Sequence, residues 1–427
     1  MKAFSQASDK KTLPYGNDVF TEKCKSTIIE IFEKKDLEII PMMSGTASNS
    51  LALSSFLRSY GSILCHSESH INKDEGGAPE FFSGGGKLQT ISNNSGRLNS
   101  KDITKKLDEL DFKGKQLSKI SGISLTQLAE NGTLYSQNEI LAISKICKKN
   151  NFYLHMDGAR FSNALVSQKS VSPAEATWKI GVDCLSLGAT KNGAMAAEVI
   201  IFFNKNLALE AKKMIKQTGH IIPKTRFITA QLNAWFTDGL WLELAQKANE
   251  NAMYLSSKLS KFNDFKLLYP TQGNEVFLRI NRKTYKKILE LNIIPNVWRK
   301  ISDDEIEVRF VTSFETKFSL IDEIINNKET KIMKLELRKF TKFVDKTFIE
   351  GGKEAKEPVL MVSVAAVFKN PWHGQGFVED LSPTILDLAP KLGDLLVPEL
   401  IKEIGSPEKI LAYGKACLLY TSDAADE

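Results

Sequence analysis

The sequence predicts an α/β protein: a large domain with a mainly parallel sheet, a smaller α+β domain after it, and a partial extra α/β module at the end. Three observations carry this. Short apolar runs alternate with helical periodicity from about residue 21 to residue 322, as expected for buried parallel strands covered by helices on both faces. The runs then change to alternating strands such as Glu275-Val276-Phe277-Leu278-Arg279-Ile280, which fit a smaller α+β domain. Finally, the composition breaks at Asn326-Asn327-Lys328-Glu329-Thr330-Lys331, and Met333-Lys334-Leu335-Glu336-Leu337-Arg338 reads like the first strand of a new protein.

Taken in order, the first strand is Leu37-Glu38-Ile39-Ile40, stopped by Pro41, which has no amide hydrogen for a sheet ladder. A helix over 50–60 follows. Further strands are read at 61–65, 120–125, 152–156, 184–187 and 198–203, with a helix near 137–149 between two of them. One long helical stretch covers 225–259. Strands at 275–280 and 306–311, with a helix between them, form the smaller domain, and a helix at 319–326 closes it. The boundaries expected are 1–245 for the large domain, 246–328 for the small one, 329–417 for the partial module and 418–427 for a tail.

With 427 residues, 42% hydrophobic and 25% charged, the chain has enough material for more than one core. The net charge of +6 is spread among acidic residues, as in Glu33-Lys34-Lys35-Asp36. That is a solvated helical surface and argues against a nucleic-acid partner. The cysteines Cys24, Cys65, Cys147, Cys184 and Cys417 show no paired spacing, so reduced thiols are expected. The opening Met1-Lys2-Ala3-Phe4-Ser5-Gln6 lacks the apolar run of a signal peptide, and no segment reaches the length of a membrane span. The expected setting is the cytoplasm, without a membrane partner.

The chemistry centres on Lys191, within Leu187-Gly188-Ala189-Thr190-Lys191-Asn192-Gly193. A lysine among small residues after a buried strand, downstream of an acidic strand end at Met156-Asp157-Gly158-Ala159-Arg160, suits pyridoxal phosphate. The amine forms a Schiff base with the cofactor aldehyde, and the aspartate pairs with the protonated pyridine nitrogen. Lys191 alone is more often a loop lysine, and Asp157 alone is either a helix cap or a functional strand end. Together, on successive strand ends, they favour function.

Other groups gain weight from that pair. Ser44-Gly45-Thr46-Ala47-Ser48-Asn49 offers small residues and hydroxyls at a helix N-terminus, where backbone amides and the helix dipole suit a phosphate. His70 follows a strand and is placed to stack on a pyridine ring or to exchange protons. Arg160 and Arg309 each present a planar fork to a carboxylate. His66, His155 and His220 are read as capped or packed residues.

These stretches, with Ser124-Leu125-Thr126-Gln127 and Val308-Arg309-Phe310-Val311, resemble the low-specificity L-threonine aldolases over about residues 1–328. The resemblance implies the fold type I, aspartate-aminotransferase-like architecture. It implies Lys191 as the Schiff-base lysine, Asp157 on the pyridine nitrogen, Gly45 and Thr46 on the phosphate, and His70 stacked on the ring. Ser8, Arg160 and Arg309 would hold the substrate carboxylate, with Arg160 also bordering the cofactor. A homodimer or homotetramer acting on a small amino acid is implied as well. At its N-terminus the sequence departs from the family: after Ala7-Ser8-Asp9, Lys10 to Leu13 lead almost at once to Pro14-Tyr15-Gly16-Asn17-Asp18, where the family carries a longer helical segment.

Residues 333–417, with Phe368-Lys369-Asn370-Pro371-Trp372 and Phe377-Val378-Glu379-Asp380-Leu381-Ser382, resemble the start of the amino acid synthesis family. The last ten residues read as translated adapter sequence, and the junction near 328–333 as a merger of two genes. The expected reaction is retro-aldol cleavage of threonine or allo-threonine to glycine and acetaldehyde. The alternatives are β-elimination or transamination on the same scaffold, or a fused product that binds cofactor without turning over.

Overall fold

The computed structural model describes residues 2–8, 12–113, 118–290 and 293–326, together with two short strands, Ile349–Glu350 and Lys353–Glu354. The chain divides into two compact units, Met1–Thr330 and Lys331–Glu427. Of the second unit, only the antiparallel pairing of those two short strands is described.

The first unit opens with helices α1 (Lys2–Ser8) and α2 (Val19–Ile31), strand β1 (Glu38–Met42) and helix α3 (Gly45–Ser54). Strand β2 (Gly61–His66), the short helices α4 (His70–Lys73) and α5 (Ala78–Phe82), and β3 (Lys87–Ile91) follow. Helix α6 (Ser100–Lys113) leads into β4 (Lys119–Thr126), α7 (Gln137–Asn150) into β5 (Tyr153–Gly158), and α8 (Phe161–Ser167) into β6 (Cys184–Gly188) and β7 (Glu198–Phe202). Helices α9 (Lys205–Met214), α10 (Arg226–Phe236) and α11 (Leu240–Leu259) separate these from β8 (Lys266–Leu267), β9 (Glu275–Asn281), β10 (Asn296–Lys300) and β11 (Glu305–Val311). Helix α12 (Arg282–Glu290) joins β9 to β10, and α13 (Phe318–Asn326) ends the unit.

The large sheet has the order β1-β7-β6-β5-β4-β2-β3. Strands β2 to β6 pair in parallel, while β7 runs antiparallel between β6 and β1. Both faces are buried. On β7, Val199 and Ile201 join one apolar cluster with Phe32 just after α2, Ile140 of α7 and Trp235 of α10. The alternate residues Ile200 and Phe202 join a second cluster with Leu51 of α3 and Ala208 of α9. Two-residue periodicity thus feeds both faces of a helix-covered sheet. The second sheet, β10-β11-β9-β8, is antiparallel and packs Val276, Leu278, Ile306 and Val308 against Leu255, Leu259 and Ile321.

Local signals explain the helix ends. Asp18 caps α2 by accepting from the Phe20 and Thr21 amides at 3.0 and 2.9 Å. Ser136 and Glu139 form a reciprocal capping box on α7. The described cysteines Cys24, Cys65, Cys147 and Cys184 are free and buried; burial pushes the Cys24 and Cys147 thiols up to about 12. Cys417 lies outside the described residues. No helix among the described residues is long and apolar enough to cross a membrane.

Three expectations change. Pro41 does not stop the first strand: β1 continues to Met42, and Pro41 pairs with Val199. A proline is tolerated there because β1 is the sheet edge. The helix expected over 50–60 starts earlier and ends at Ser54. The continuous stretch expected over 225–259 is broken, because Asp238 (φ 53°) and Gly239 (φ 71°) turn left-handed between α10 and α11. Strands β3, β8 and β10 were not anticipated; β8 is two residues long, and β3 lacks an apolar run.

Candidate active site

The carboxyl ends of parallel strands converge on one place, as ligand sites in open α/β sheets do. Asp157 is the penultimate residue of β5 and is buried, 3% exposed. Its Oδ1 accepts from the Ala159 amide at 3.0 Å and its Oδ2 from Asn49 Nδ2 at 2.9 Å. On the neighbouring strand β6, the chain turns after Gly188 and presents Lys191, which is exposed.

Asn49, inside α3, links two buried acids. Its Nδ2 also donates to Glu75 Oε1 at 2.8 Å, and that oxygen meets His70 Nδ1 at 3.1 Å. A continuous path runs from Asp157 through Asn49 and Glu75 to His70. The His70 amide donates in turn to Glu130 Oε1 at 3.3 Å. Burial works against a charged His70 ring, but the bond to Glu75 and the charges of Glu130 and Asp157 outweigh it and hold the ring above its ordinary value. Burial raises the Glu75 carboxyl despite its bonds to His70 and Asn49, and pushes Glu130 up to about 7.

Thr190, one residue before Lys191, is fixed by another buried acid. Glu198 opens β7 directly across from Gly188, and its Oε1 accepts from the Thr190 amide at 3.3 Å. Thr190 Oγ1 accepts from the Ala197 amide at 3.1 Å, closing the loop. Burial pushes Glu198 up to about 7, against the hydrogen bonds from Thr190 and the charge of Lys191.

At the start of α3, Ser44 Oγ accepts from the Ala47 amide at 3.2 Å and its carbonyl from the Ser48 amide at 3.1 Å. The Gly45 and Thr46 amides have no protein partner among the described residues, and a Cβ added at Gly45 would meet nothing within 4 Å. The N-terminus of α3 therefore has free donors and open space before it.

Arg160 and Arg309 come together from distant parts of the chain, on a further buried acid, Glu275. Arg160 Nη2 lies 3.1 Å, and Arg309 Nη1 3.4 Å, from the same atom, Glu275 Oε1. The guanidinium of Arg309 also lies over the Trp298 ring at 4.9 Å. Ser8 is placed otherwise: its hydroxyl donates to the Phe4 carbonyl at 2.9 Å on the exposed end of α1, which packs on α10. The three other described histidines are packed or capped. His155 lies between Ser124 and Ser186 and is held neutral by burial, down to about 4; His66 Nδ1 accepts from the Glu68 amide, and His220 stacks on Phe82.

With this geometry, the comparisons with known proteins become informative. A model of the beta-eliminating lyase family matches residues 2–282. The chain belongs to the beta-eliminating lyase family. Its curated relatives include a low specificity L-threonine aldolase of Pseudomonas sp. (strain NCIMB 10558), 38% identical over 65% of this chain and 80% of that protein. The enzyme of the same name from Pseudomonas aeruginosa is 35% identical over 75% of this chain and 91% of its own length. Among solved structures, Leishmania major threonine aldolase superposes with a TM-score of 0.71 at 26% identity, covering 76% of this chain and 94% of that one. The fold is that of fold type I pyridoxal phosphate enzymes. A second family model, amino acid synthesis, matches residues 337–422.

Beta-eliminating lyases of the threonine aldolase type work with pyridoxal phosphate, and the residues present fit it. The unpartnered amides and open space at Gly45 and Thr46 suit the phosphate, buried Asp157 suits the pyridinium, and the exposed amine of Lys191 stands one strand away. Buried Asn49 Oδ1 and Glu75 Oε2 lack protein partners at the same place. Among the described residues no group of His, Cys, Asp or Glu could hold a metal ion.

Sequence reasoning missed Asn49 as a link and Glu75, Glu130, Glu198 and Glu275 altogether. Glu198 and Glu275 did carry a signal: Glu198 opens an otherwise apolar, buried strand, and Glu275 heads the buried apolar run Val276-Phe277-Leu278.

Proposed function

We propose that the chain cleaves the Cα–Cβ bond of L-threonine and L-allo-threonine, giving glycine and acetaldehyde. The observation that carries this reading is the placement of Lys191 and Asp157 on adjacent strand ends beside two converging arginines, in a chain 35% identical to a threonine aldolase over 91% of that enzyme's length. The bound cofactor supplies an electron sink for the pair left on Cα.

The protein's own groups do the rest. Lys191 would hold the cofactor through its amine. Arg160 and Arg309 bind the substrate carboxylate and so fix how the groups on Cα are oriented in the site. His70, or a water it holds, takes the proton from the β-hydroxyl as the carbonyl of acetaldehyde forms. Asp157 would pair with the protonated pyridine nitrogen, and its bond to Asn49 fixes the carboxylate's direction. A proton delivered to Cα completes glycine.

The domain assignment that goes with this reading is a cofactor-binding domain at 1–245, a small domain at 246–328, a separate module at 329–417 and a tail at 418–427. The working form is a cytoplasmic homodimer or homotetramer. The deciding experiment incubates the purified protein with threonine and follows glycine, acetaldehyde, ammonia and keto acid, with and without pyridoxal phosphate. Glycine and acetaldehyde in equal amounts are expected; ammonia or keto acid would mean β-elimination or transamination. No product, from a protein that sediments as a monomer, would mean a fused chain that only binds cofactor.

A further inference from the structure

We infer that Glu275 is a positioning residue that holds Arg160 and Arg309 together as one receptor for the substrate's carboxylate. The inference rests on the functional reading above and deepens it. The two arginines come from different elements: Arg160 stands at the N-terminal end of α8, and Arg309 lies in the middle of β11. Like charges on separate elements repel, and at this site they nevertheless meet on a single oxygen, Glu275 Oε1.

Glu275 is itself fixed. It opens β9 opposite Val311, and the residues flanking that pair are tied together, with the Thr312 amide on the Asn274 carbonyl and Asn274 Nδ2 on the Thr312 carbonyl, both at 2.9 Å.

Exposure decides what Glu275 does. Its side chain is 1% exposed, whereas those of Arg160 and Arg309 are 14% and 22% exposed. The acid lies behind the arginines, so an incoming carboxylate meets the guanidinium groups first and does not have to displace it. Two cations and one anion leave a net positive charge. The Nε atoms of both arginines are buried without a partner, so hydrogen-bonding capacity remains as well. A second carboxylate, that of an α-amino acid, completes the set.

The test is Glu275→Gln, which keeps the shape and removes the charge, with Glu275→Asp as the second variant. The probes are glycine and methylamine, titrated into the cofactor-loaded protein and followed by the visible absorbance of the bound cofactor. Glu275→Gln is expected to weaken glycine binding on the order of tenfold and to leave methylamine binding, which involves no carboxylate, unchanged. KM for threonine should rise by more than kcat falls. Glu275→Asp, drawing the charge back by one methylene, should give an intermediate loss, and it supplies the answer if the glutamine variant does not fold. Glycine binding equal to or tighter than wild type in either variant overturns the inference, tighter binding meaning that Glu275 competes with substrate. Equal weakening of glycine and methylamine overturns it too, since the damage would then not be specific to the carboxylate. If the wild type binds neither probe and cleaves no threonine, the functional reading itself fails and this inference falls with it.

Discussion

Glu198 accepts the Thr190 amide at 3.3 Å, one residue before Lys191, from a buried position across the strand pair. The loop that presents the lysine is thus tied to a carboxyl that burial drives up to about 7.

That carboxyl makes stability depend on pH. Its native value lies above that of an ordinary glutamate, so its contribution is full below about 4.5 and is lost as pH rises through about 7. Glu198→Gln removes the ionisation. In the cofactor-free protein, the variant should gain stability over wild type at pH 8 relative to pH 5, by up to ~3 kcal/mol. Denaturant unfolding at the two pH values measures the difference, and an equal offset at both would contradict it.

Lys191→Ala should abolish the visible absorbance of the bound cofactor and lower turnover by roughly a thousandfold or more. The fold should persist, because Lys191 is exposed and lies outside the apolar clusters. Circular dichroism with an absorbance spectrum checks both halves. Retained absorbance with full turnover would remove Lys191 from its assigned role.

If His70 takes the hydroxyl proton, it acts in its neutral form, and Glu75, Glu130 and Asp157, by favouring the protonated ring, delay that form to higher pH than usual. The rate at low substrate should therefore rise with pH, with a midpoint above the ordinary histidine value. Glu75→Gln, which removes the acid on Nδ1, should move that limb to lower pH. A limb that does not move would assign the proton transfer to another group.

Gly188 faces Glu198 and the backbone of Ala159. A Cβ there would lie 2.8 Å from Glu198 Oε2 and 2.9 Å from Ala159 Cα. Gly188→Ala should cost about 1–3 kcal/mol of stability and weaken cofactor binding, since the strand end that yields is the one leading to Lys191. Equilibrium unfolding and a cofactor titration test this together.

Residues 1–330 form a compact unit of their own. A chain ending at Thr330 should fold and cleave threonine at a rate close to that of the full chain. If only the shortened chain is active, the appended unit blocks the site.

Much of this site was legible in the sequence because Asp157 and Lys191 each follow an apolar run, and strand ends are where an α/β sheet places its chemistry. The same periodicity revealed β2 and β4 to β7. Glu75 was not legible, and Glu198 and Glu275 left only the hint of an acid heading an apolar run, because what defines each is a partner elsewhere in the fold: Asn49 for Glu75, Gly188 across the strand pair for Glu198, and two arginines for Glu275. Charge on a residue says nothing about burial until the fold brings such partners together. Ser8 illustrates the reverse, since a matching local motif left its hydroxyl bonded within its own helix.

Pro41 has one more effect. As part of the outermost strand, it has no amide hydrogen to offer a newcomer, so that rim of the large sheet makes a poor template for adding a further strand from another molecule. A residue that looked like the end of a strand instead discourages aggregation through its open edge.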